Sequence, residues 1–220
     1  MSFQELLNRI GDKSIANDEL LLAIKEHPEV LADIIEGTAS SKPAIRYGCS
    51  KALMSFSAEY PEKLYPYIDS FISLLGSKYR ILTWNVLVII ANLARVDRDK
   101  KFDRIFEKYY SFLDDPYMVT VANVVGNSAK IALAKPYLLD RIVNELFRVE
   151  NISVTPHMTE ECKRVIAQHA IEAFDTLFDK TKHKDRVFLF VRQHLDSSRK
   201  TLKISAENFI KKRSAEPIQN

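Results

Sequence analysis

At 220 residues, the chain is long enough for one large domain or a short array of repeats. Hydrophobic residues make up 46% of it and charged residues 28%, proportions typical of a soluble globular protein. Five glycines are few for this length, which argues against a β protein rich in hairpin turns. No apolar run approaches the roughly 18 residues of a membrane span, and the N-terminal residues do not resemble a secretory signal. We therefore expect a cytoplasmic protein with free thiols at Cys49 and Cys162.

The net charge of +3 conceals an uneven distribution along the chain. Residues 1–40 carry eight acidic and three basic side chains, a net charge of −5. Residues 180–213 carry eleven basic and three acidic side chains, a net charge of +8. Such a basic segment either forms the solvated face of amphipathic helices or attracts polyanions such as nucleic acid. The basic residues considered for the second role are Lys184, Arg186, Arg192, Arg199, Lys200 and Lys203.

Apolar residues recur at the spacing of an α-helix along almost the entire chain. Phe102, Ile105 and Phe106, for example, follow the i, i+3, i+4 pattern, and no long segment alternates at the period of a strand. Prolines separate the periodic segments, because a fixed φ and a missing N–H suit the first turn of a helix. Asp115 followed by Pro116 predicts a helix that begins at residue 116 with Asp115 as its N-cap. In chain order, the predicted helices are residues 18–26, 28–37, 43–59, 62–76, 79–96, 100–114, 116–134, 136–149, 159–180, 183–196 and 199–213.

These helices repeat in pairs. Residues 52–57 align with residues 89–94, which lie 37 positions later, and with residues 127–132 after a further 38. A fourth copy, residues 173–178, follows after 46 positions because the long connector 150–158 absorbs the extra eight. An amphipathic helix pair cannot bury its apolar face alone, so pairs repeated at this period are expected to stack. We predict a single all-α domain over residues 1–220, with an N-terminal cap (1–27), five helix pairs (28–213) and a disordered tail (214–220).

The second helices of the pairs carry the sequence pattern of a known repeat superfamily. Residues 44–53 read Ala-Ile-Arg-Tyr-Gly-Cys-Ser-Lys-Ala-Leu, which resembles the second helix of a HEAT repeat. Residues 90–94 read Ile-Ala-Asn-Leu-Ala, which resembles the end of the inner helix of an armadillo repeat. This resemblance to HEAT/armadillo-like proteins covers residues 28–213 and implies a right-handed α-α superhelix, or α-solenoid. It also implies that the second helices line the concave face.

Polar residues at equivalent positions of the second helices form a candidate partner-binding row on that face. The row comprises Asn85, Asn92, Asn123, Asn127, Lys130, His169 and Thr176. Asparagine is a poor residue in the middle of a helix, because its amide competes for backbone groups. Amides suit gripping the main chain of an extended peptide, and the resemblance implies that use for the position of Asn92. Alternatively, the amides bond across the helix interface and hold the repeats in register. Both interpretations are open.

Two aromatic residues, Tyr47 and Trp84, align beside this row, either as anchors of an interface or as packing within the core. The five histidines show no metal-binding spacing, and no Walker loop, dinucleotide-binding fingerprint or nucleophile elbow is present in the sequence. We predict a non-enzymatic scaffold that binds an extended peptide or helix along its concave face, without a cofactor, a metal or a membrane partner. The alternative is nucleic-acid or polyanion binding through the basic C-terminal repeats. The sequence leaves the oligomeric state open.

Overall fold

The structure is a computed structural model that describes residues 3–214. Its α-helices are α1 (Phe3–Gly11), α2 (Asn17–Glu26), α3 (Val30–Gly37), α4 (Pro43–Glu59), α5 (Pro61–Leu64), α6 (Ile68–Leu74), α7 (Arg80–Leu93), α8 (Lys101–Tyr110), α9 (Met118–Ala134), α10 (Leu139–Phe147), α11 (Glu160–Leu177), α12 (Lys184–Arg192) and α13 (Lys200–Ser214). Short 3-10 turns extend several of them, as at Ala94–Val96 and Ser111–Asp114. Over residues 3–214 the extended pairing is limited to an isolated bridge between Thr155 and Met158. The all-α prediction is confirmed.

The chain divides into two compact units, Met1–Ile105 and Phe106–Asn220, and the division falls inside α8. In the first unit α4 packs against α7, and in the second α11 packs against both α9 and α13. All of these are second helices of predicted pairs. The first helix of a pair packs beside its second, as α3 does on α4, α6 on α7 and α12 on α13. Within each unit, helix pairs therefore stack as predicted, whereas the single domain over residues 1–220 stays a prediction.

The core of the second unit is rich in aromatic side chains that join successive helices. Phe147 of α10 and Phe174 of α11 have ring centroids 4.8 Å apart, and Phe174 meets Phe190 of α12 at 5.3 Å. All three side chains are buried. Burying one such side chain contributes about 2–3 kcal/mol, so this cluster is a large part of what holds the three helices together.

The N-terminal cap contains a helix, α1, that is absent from the predicted helices. Leu6, Leu7 and Ile10 are buried and share one face of it, a spacing that the sequence already contains. α1 packs against α3 and α4. The approach to α4 is close: a Cβ on Gly48 would lie 2.5 Å from Cγ2 of Ile10 and 3.1 Å from the Ile10 carbonyl oxygen. α1 thus packs on α4 where a second helix of an earlier pair would pack.

Several predicted helix boundaries differ from the structure, among them the start of α9 and the end of α13. α9 begins at Met118 rather than at residue 116. Asp115 is not its N-cap, because Oδ1 of Asp115 accepts a hydrogen bond from the backbone N–H of Tyr117 (2.9 Å) and so closes a turn before the helix. At the C-terminus, Ser214 is the last residue of α13, although the predicted disordered tail begins there. The rest of that predicted tail, residues 215–220, lies outside the described residues.

The close contact of α1 with α4 predicts that Gly48→Ala destabilises the protein. The added Cβ overlaps Ile10, so we expect the free energy of unfolding to fall by about 1–3 kcal/mol in urea denaturation. Gly126→Ala in α9 is the matched control, since its Cβ would meet only the His169 ring at 3.7 Å. The control should raise the free energy of unfolding by about 0.5–1 kcal/mol through helix propensity. Equal effects of the two substitutions would contradict this account.

Candidate functional site

The two asparagines of α7 are bonded to α4. Nδ2 of Asn85 donates to Oγ of Ser50 (3.0 Å), and Nδ2 of Asn92 donates to Oγ of Ser57 (2.8 Å). Asn85 is half-buried, whereas Asn92 is only 5% exposed. Because the two bonds are two helical turns apart on both helices, they hold α4 and α7 in one register. Asn85 and Asn92 therefore follow the second alternative, in which the amides bond across the interface between helices and hold the repeats in register.

The Asn92–Ser57 bond predicts a measurable coupling between two residues that are 35 positions apart. Asn92→Ala should lower the free energy of unfolding by about 1–3 kcal/mol, because it leaves buried polar groups without their partner. A double-mutant cycle with Ser57→Ala should return a coupling of about 1 kcal/mol. Additive effects of the two substitutions in chemical denaturation would show that the bond does not tie the helices together.

The asparagines of α9 are arranged differently, since their amides turn back to their own helix. Nδ2 of Asn123 donates to the carbonyl oxygen of Val119 (2.9 Å), and Nδ2 of Asn127 donates to that of Asn123 (2.8 Å). Nζ of Lys130 donates to Oδ1 of Asn127 (3.3 Å). Both asparagines are half-buried and Lys130 is exposed, so these side chains lie at the surface of α9.

On α11, His169 and Thr176 flank Glu172. Nδ1 of His169 lies 3.4 Å from Oε2 of Glu172, and Oγ1 of Thr176 donates to the Glu172 carbonyl oxygen (2.9 Å). The His169 side chain is 39% exposed and Thr176 is exposed. His169 faces α9, because a Cβ on Gly126 would lie 3.7 Å from its Nδ1.

α9 and α11 form a shallow groove that brings part of the predicted row together. Its lining consists of Met118, Val119, Ala122, Asn123, Gly126 and Asn127 of α9 with Val165 and His169 of α11. Gly126 is exposed, so the groove is open where any other residue would place a side chain. Lys130 and Thr176 are outside this lining.

A second groove lies in the first unit, where α1, α2 and their connection meet α4. It is lined by Ile10, Lys13, Ile15 and Leu20 on one side and by Pro43, Ala44, Tyr47, Gly48, Lys51 and Ala52 of α4 on the other. Ile10, Leu20 and Ala52 are buried and form an apolar floor. Tyr47 is half-buried beside them. Tyr47 is among the residues predicted from the sequence, but α1 is not among the predicted helices, so this groove could not be predicted.

The two grooves use the same positions of the repeat. The six lining residues of α9 lie 75 positions after the six of α4, the sum of the two repeat offsets of 37 and 38. Tyr47 thus corresponds to Ala122, and Gly48 to Asn123. We call these six positions of a second helix the groove strip. On α7, the strip includes the half-buried Trp84 and Asn85.

Tyr47 is packed on one side of its ring. The buried guanidinium of Arg46 lies 4.8 Å from the Tyr47 ring centroid and 3.8 Å from that of Tyr79. Nη1 of Arg46 donates to the carbonyl oxygen of Ser40 (2.7 Å), which fixes the stack to the chain before α4. Tyr47 therefore both packs on Arg46 and lines the groove.

The six basic residues predicted for polyanion binding are dispersed over α12, the α12–α13 connection and α13. Arg186 pairs with Glu150 (3.2 Å) and lies 3.9 Å from the Phe147 ring centroid. Arg199 pairs with Glu161. Lys203 lies 3.9 Å from Glu207 on its own helix. The remaining three, Lys184, Arg192 and Lys200, are exposed. Part of the basic segment therefore neutralises acids of the preceding helix pair.

The most buried of these contacts was not predicted from the sequence. Arg213 at the end of α13 is 6% exposed and donates to Oδ1 of Asp175 and of Asp179, both at 2.8 Å. Nζ of Lys212 also pairs with Asp175 (2.9 Å). Burial alone would raise the pKa of Asp175, but the hydrogen bonds from Lys212 and Arg213 lower it below its ordinary value. The partners lie more than 30 residues apart, so no local pattern marks them.

The lowered pKa of Asp175 predicts a loss of stability in acid. A carboxyl group whose pKa is lower in the folded state stabilises the protein above its unfolded pKa, and that contribution is lost as pH falls through the folded pKa. Asp175→Asn should therefore be less stable than the parent at neutral pH and should lose less stability between neutral pH and about pH 3. Arg213→Met should flatten the same part of the curve. Unchanged acid dependence in both variants, measured by urea denaturation across pH, would refute the role of this pair.

The described part of the chain offers no group of three or more His, Cys, Asp and Glu side chains that could hold a metal ion. None of the helices described is both long and apolar enough to cross a membrane. Cys49 and Cys162 are free thiols, and burial raises the pKa of Cys49 to about 12. The thiol of Cys49 is therefore a packing group at neutral pH.

No protein-family model matches the sequence, and no curated protein matches it. Solved structures do resemble the fold. A designed armadillo repeat protein, YIII(Dq)4CqI, superposes with a TM-score of 0.59 over 95% of this chain and 90% of its own, at 15% sequence identity. An engineered protein, target OR329 of a structural genomics consortium, superposes with a TM-score of 0.55 over 95% and 87%, at 14% identity. The chain therefore has an armadillo-like α-solenoid fold.

Proposed function

We propose that this protein is a non-enzymatic scaffold that binds a segment of another protein along the groove strips of its second helices. The observation that carries the proposal is that the same six repeat positions line a groove on α4 and on α9. A surface that recurs at fixed repeat positions suits a partner that is itself extended or helical.

The groove between α9 and α11 has the chemistry that such a partner needs. Met118, Val119 and Val165 give it apolar walls, and Val119 is 38% exposed. Asn123 and His169 place amide and imidazole groups at its edge, where they can bond to the main chain of a bound segment. Apolar contact supplies affinity in such grooves, and a few polar groups fix the orientation.

Polyanion binding through the basic C-terminal residues has less support. Arg186 and Arg199 pair with Glu150 and Glu161, so their charges are partly compensated by the protein itself. The exposed Lys184 and Arg192 lie at opposite ends of α12, and the exposed Lys200 lies at the start of α13. Steep salt dependence is the measurable mark of this alternative.

Gly126→Leu tests the proposal, because it fills the groove between α9 and α11 from an exposed helix position. Peptides selected on the unmodified protein from a random display library would be titrated by fluorescence anisotropy. We expect Gly126→Leu to weaken the binding of groove-directed peptides about tenfold or more, as the loss of one buried apolar contact surface implies.

Two controls accompany this titration. Gly126→Ala adds only a methyl group and should keep most of the affinity. Lys184→Glu/Lys200→Glu changes the charge of the basic residues and should leave the affinity unchanged. If every selected peptide follows the lysine variant and salt concentration rather than Gly126→Leu, the polyanion alternative replaces the groove.

A further inference from the structure

We infer that the groove of the first unit binds an apolar protein segment that carries acidic residues. This inference rests on the proposed function, since the groove is built on the strip of α4, and it adds the chemistry of the partner. It is carried by the shape of the groove and by two lysines at its edge.

The groove lies beside the close contact of α1 with α4. α1 has nine residues and α4 has seventeen, so only part of this face of α4 is covered by α1. Beyond the contact of Ile10 with Gly48, the floor continues through Leu20 of α2 and Ala52 of α4. Buried aliphatic side chains at the base of an open groove favour the apolar side chains of a peptide or amphipathic helix.

The two charged residues of this lining are both lysines. Lys51 lies on α4 one helical turn after Tyr47, and Lys13 lies in the connection between α1 and α2. Both side chains are exposed, and across residues 3–214 neither ammonium group takes part in an ion pair. Carboxylates of a bound segment would therefore meet positive charge on either side of the apolar floor.

Lys13 also has a backbone conformation that lysine rarely adopts. Its φ is 62°, in the left-handed region, which costs a residue with a side chain about 1 kcal/mol or more relative to glycine. Glycine would satisfy this turn at lower cost, yet it would remove the ammonium group from the edge of the groove.

The surrounding charges restrict what the two lysines can attract. Residues 1–40 have a net charge of −5, and acids such as Asp12 and Asp18 adjoin the groove in sequence. A uniformly charged polyanion would be repelled by them, whereas a segment with apolar residues and a few well-placed carboxylates would not. The position of Lys51 is Val88 on α7, Gly126 on α9 and Glu172 on α11, so among these four helices a lysine at this strip position is particular to α4.

The test uses two short fluorescein-labelled peptides on the full chain. Both have leucines spaced three and four residues apart, and the flanking residues are glutamates in one peptide and lysines in the other. We expect the glutamate peptide to bind about tenfold more tightly or better, as measured by anisotropy at moderate salt. Lys13→Glu/Lys51→Glu should reverse the preference. The matched control is Lys108→Glu/Lys180→Glu, an equal change of charge on exposed lysines of the second unit, which should leave it unchanged.

Ala44→Trp tests whether the peptide occupies the groove without changing the charge of the groove. Ala44 is an exposed lining residue in the first turn of α4. It should weaken binding of the glutamate peptide about tenfold, with a melting curve like that of the parent. If Ala44→Trp blocks binding and the lysine reversal has no effect, the groove stands and the acidic partner is wrong. If Ala44→Trp has no effect on binding of the glutamate peptide, the peptide does not bind in this groove and the inference is wrong. If neither Ala44→Trp nor Gly126→Leu affects any peptide, the proposed function itself fails.

Discussion

Within each unit of this protein, neighbouring helix pairs depend on each other, because a single amphipathic pair leaves an apolar face exposed. Within each unit, ion pairs join neighbouring helix pairs, and in six of them the base belongs to the later pair and the acid to the earlier. This holds for Lys101–Asp69, Arg141–Glu107, Arg148–Asp114, Arg186–Glu150, Arg199–Glu161 and Arg213–Asp179. This arrangement accounts for part of the basic character of residues 180–213, because several of their bases form ion pairs with acids of the preceding helix pair.

The interfaces between second helices differ in chemistry although their positions are equivalent. α4 and α7 are held by amide–hydroxyl bonds such as Asn92–Ser57, and α11 and α13 by the ion pairs of Arg213. Between α9 and α11 the strip residues instead border an open groove. Where polar side chains bond to the neighbouring helix, they stabilise the stack. Where they turn back to their own backbone, as Asn123 does, the surface beside them stays open.

Repeat periodicity in the sequence predicted which residues are equivalent, but not which residues face each other. The register aligns Asn85 with Gly48, whereas in the structure Asn85 bonds to Ser50, two positions further on. The sequence separation between two residues that touch across helices is set by how the helices pack. It differs from the repeat length and cannot be obtained from it. The same limit explains why the role of Asn92 could not be decided from its position alone. It also explains why the ion pairs of Arg213 could not be predicted from the sequence.

Gly48 and Gly126 lie on equivalent helices, but packing requires glycine at the first position and not at the second. Glycine inside a helix costs about 1 kcal/mol relative to alanine. At Gly48 the contact with Ile10 offsets that cost, because no side chain fits beneath α1. At Gly126 a methyl group would fit, and the backbone φ is not positive, so neither packing nor conformation requires glycine. The cost at Gly126 is therefore not explained by the stability of the fold. An open groove between α9 and α11 is the structural feature that glycine at this position preserves.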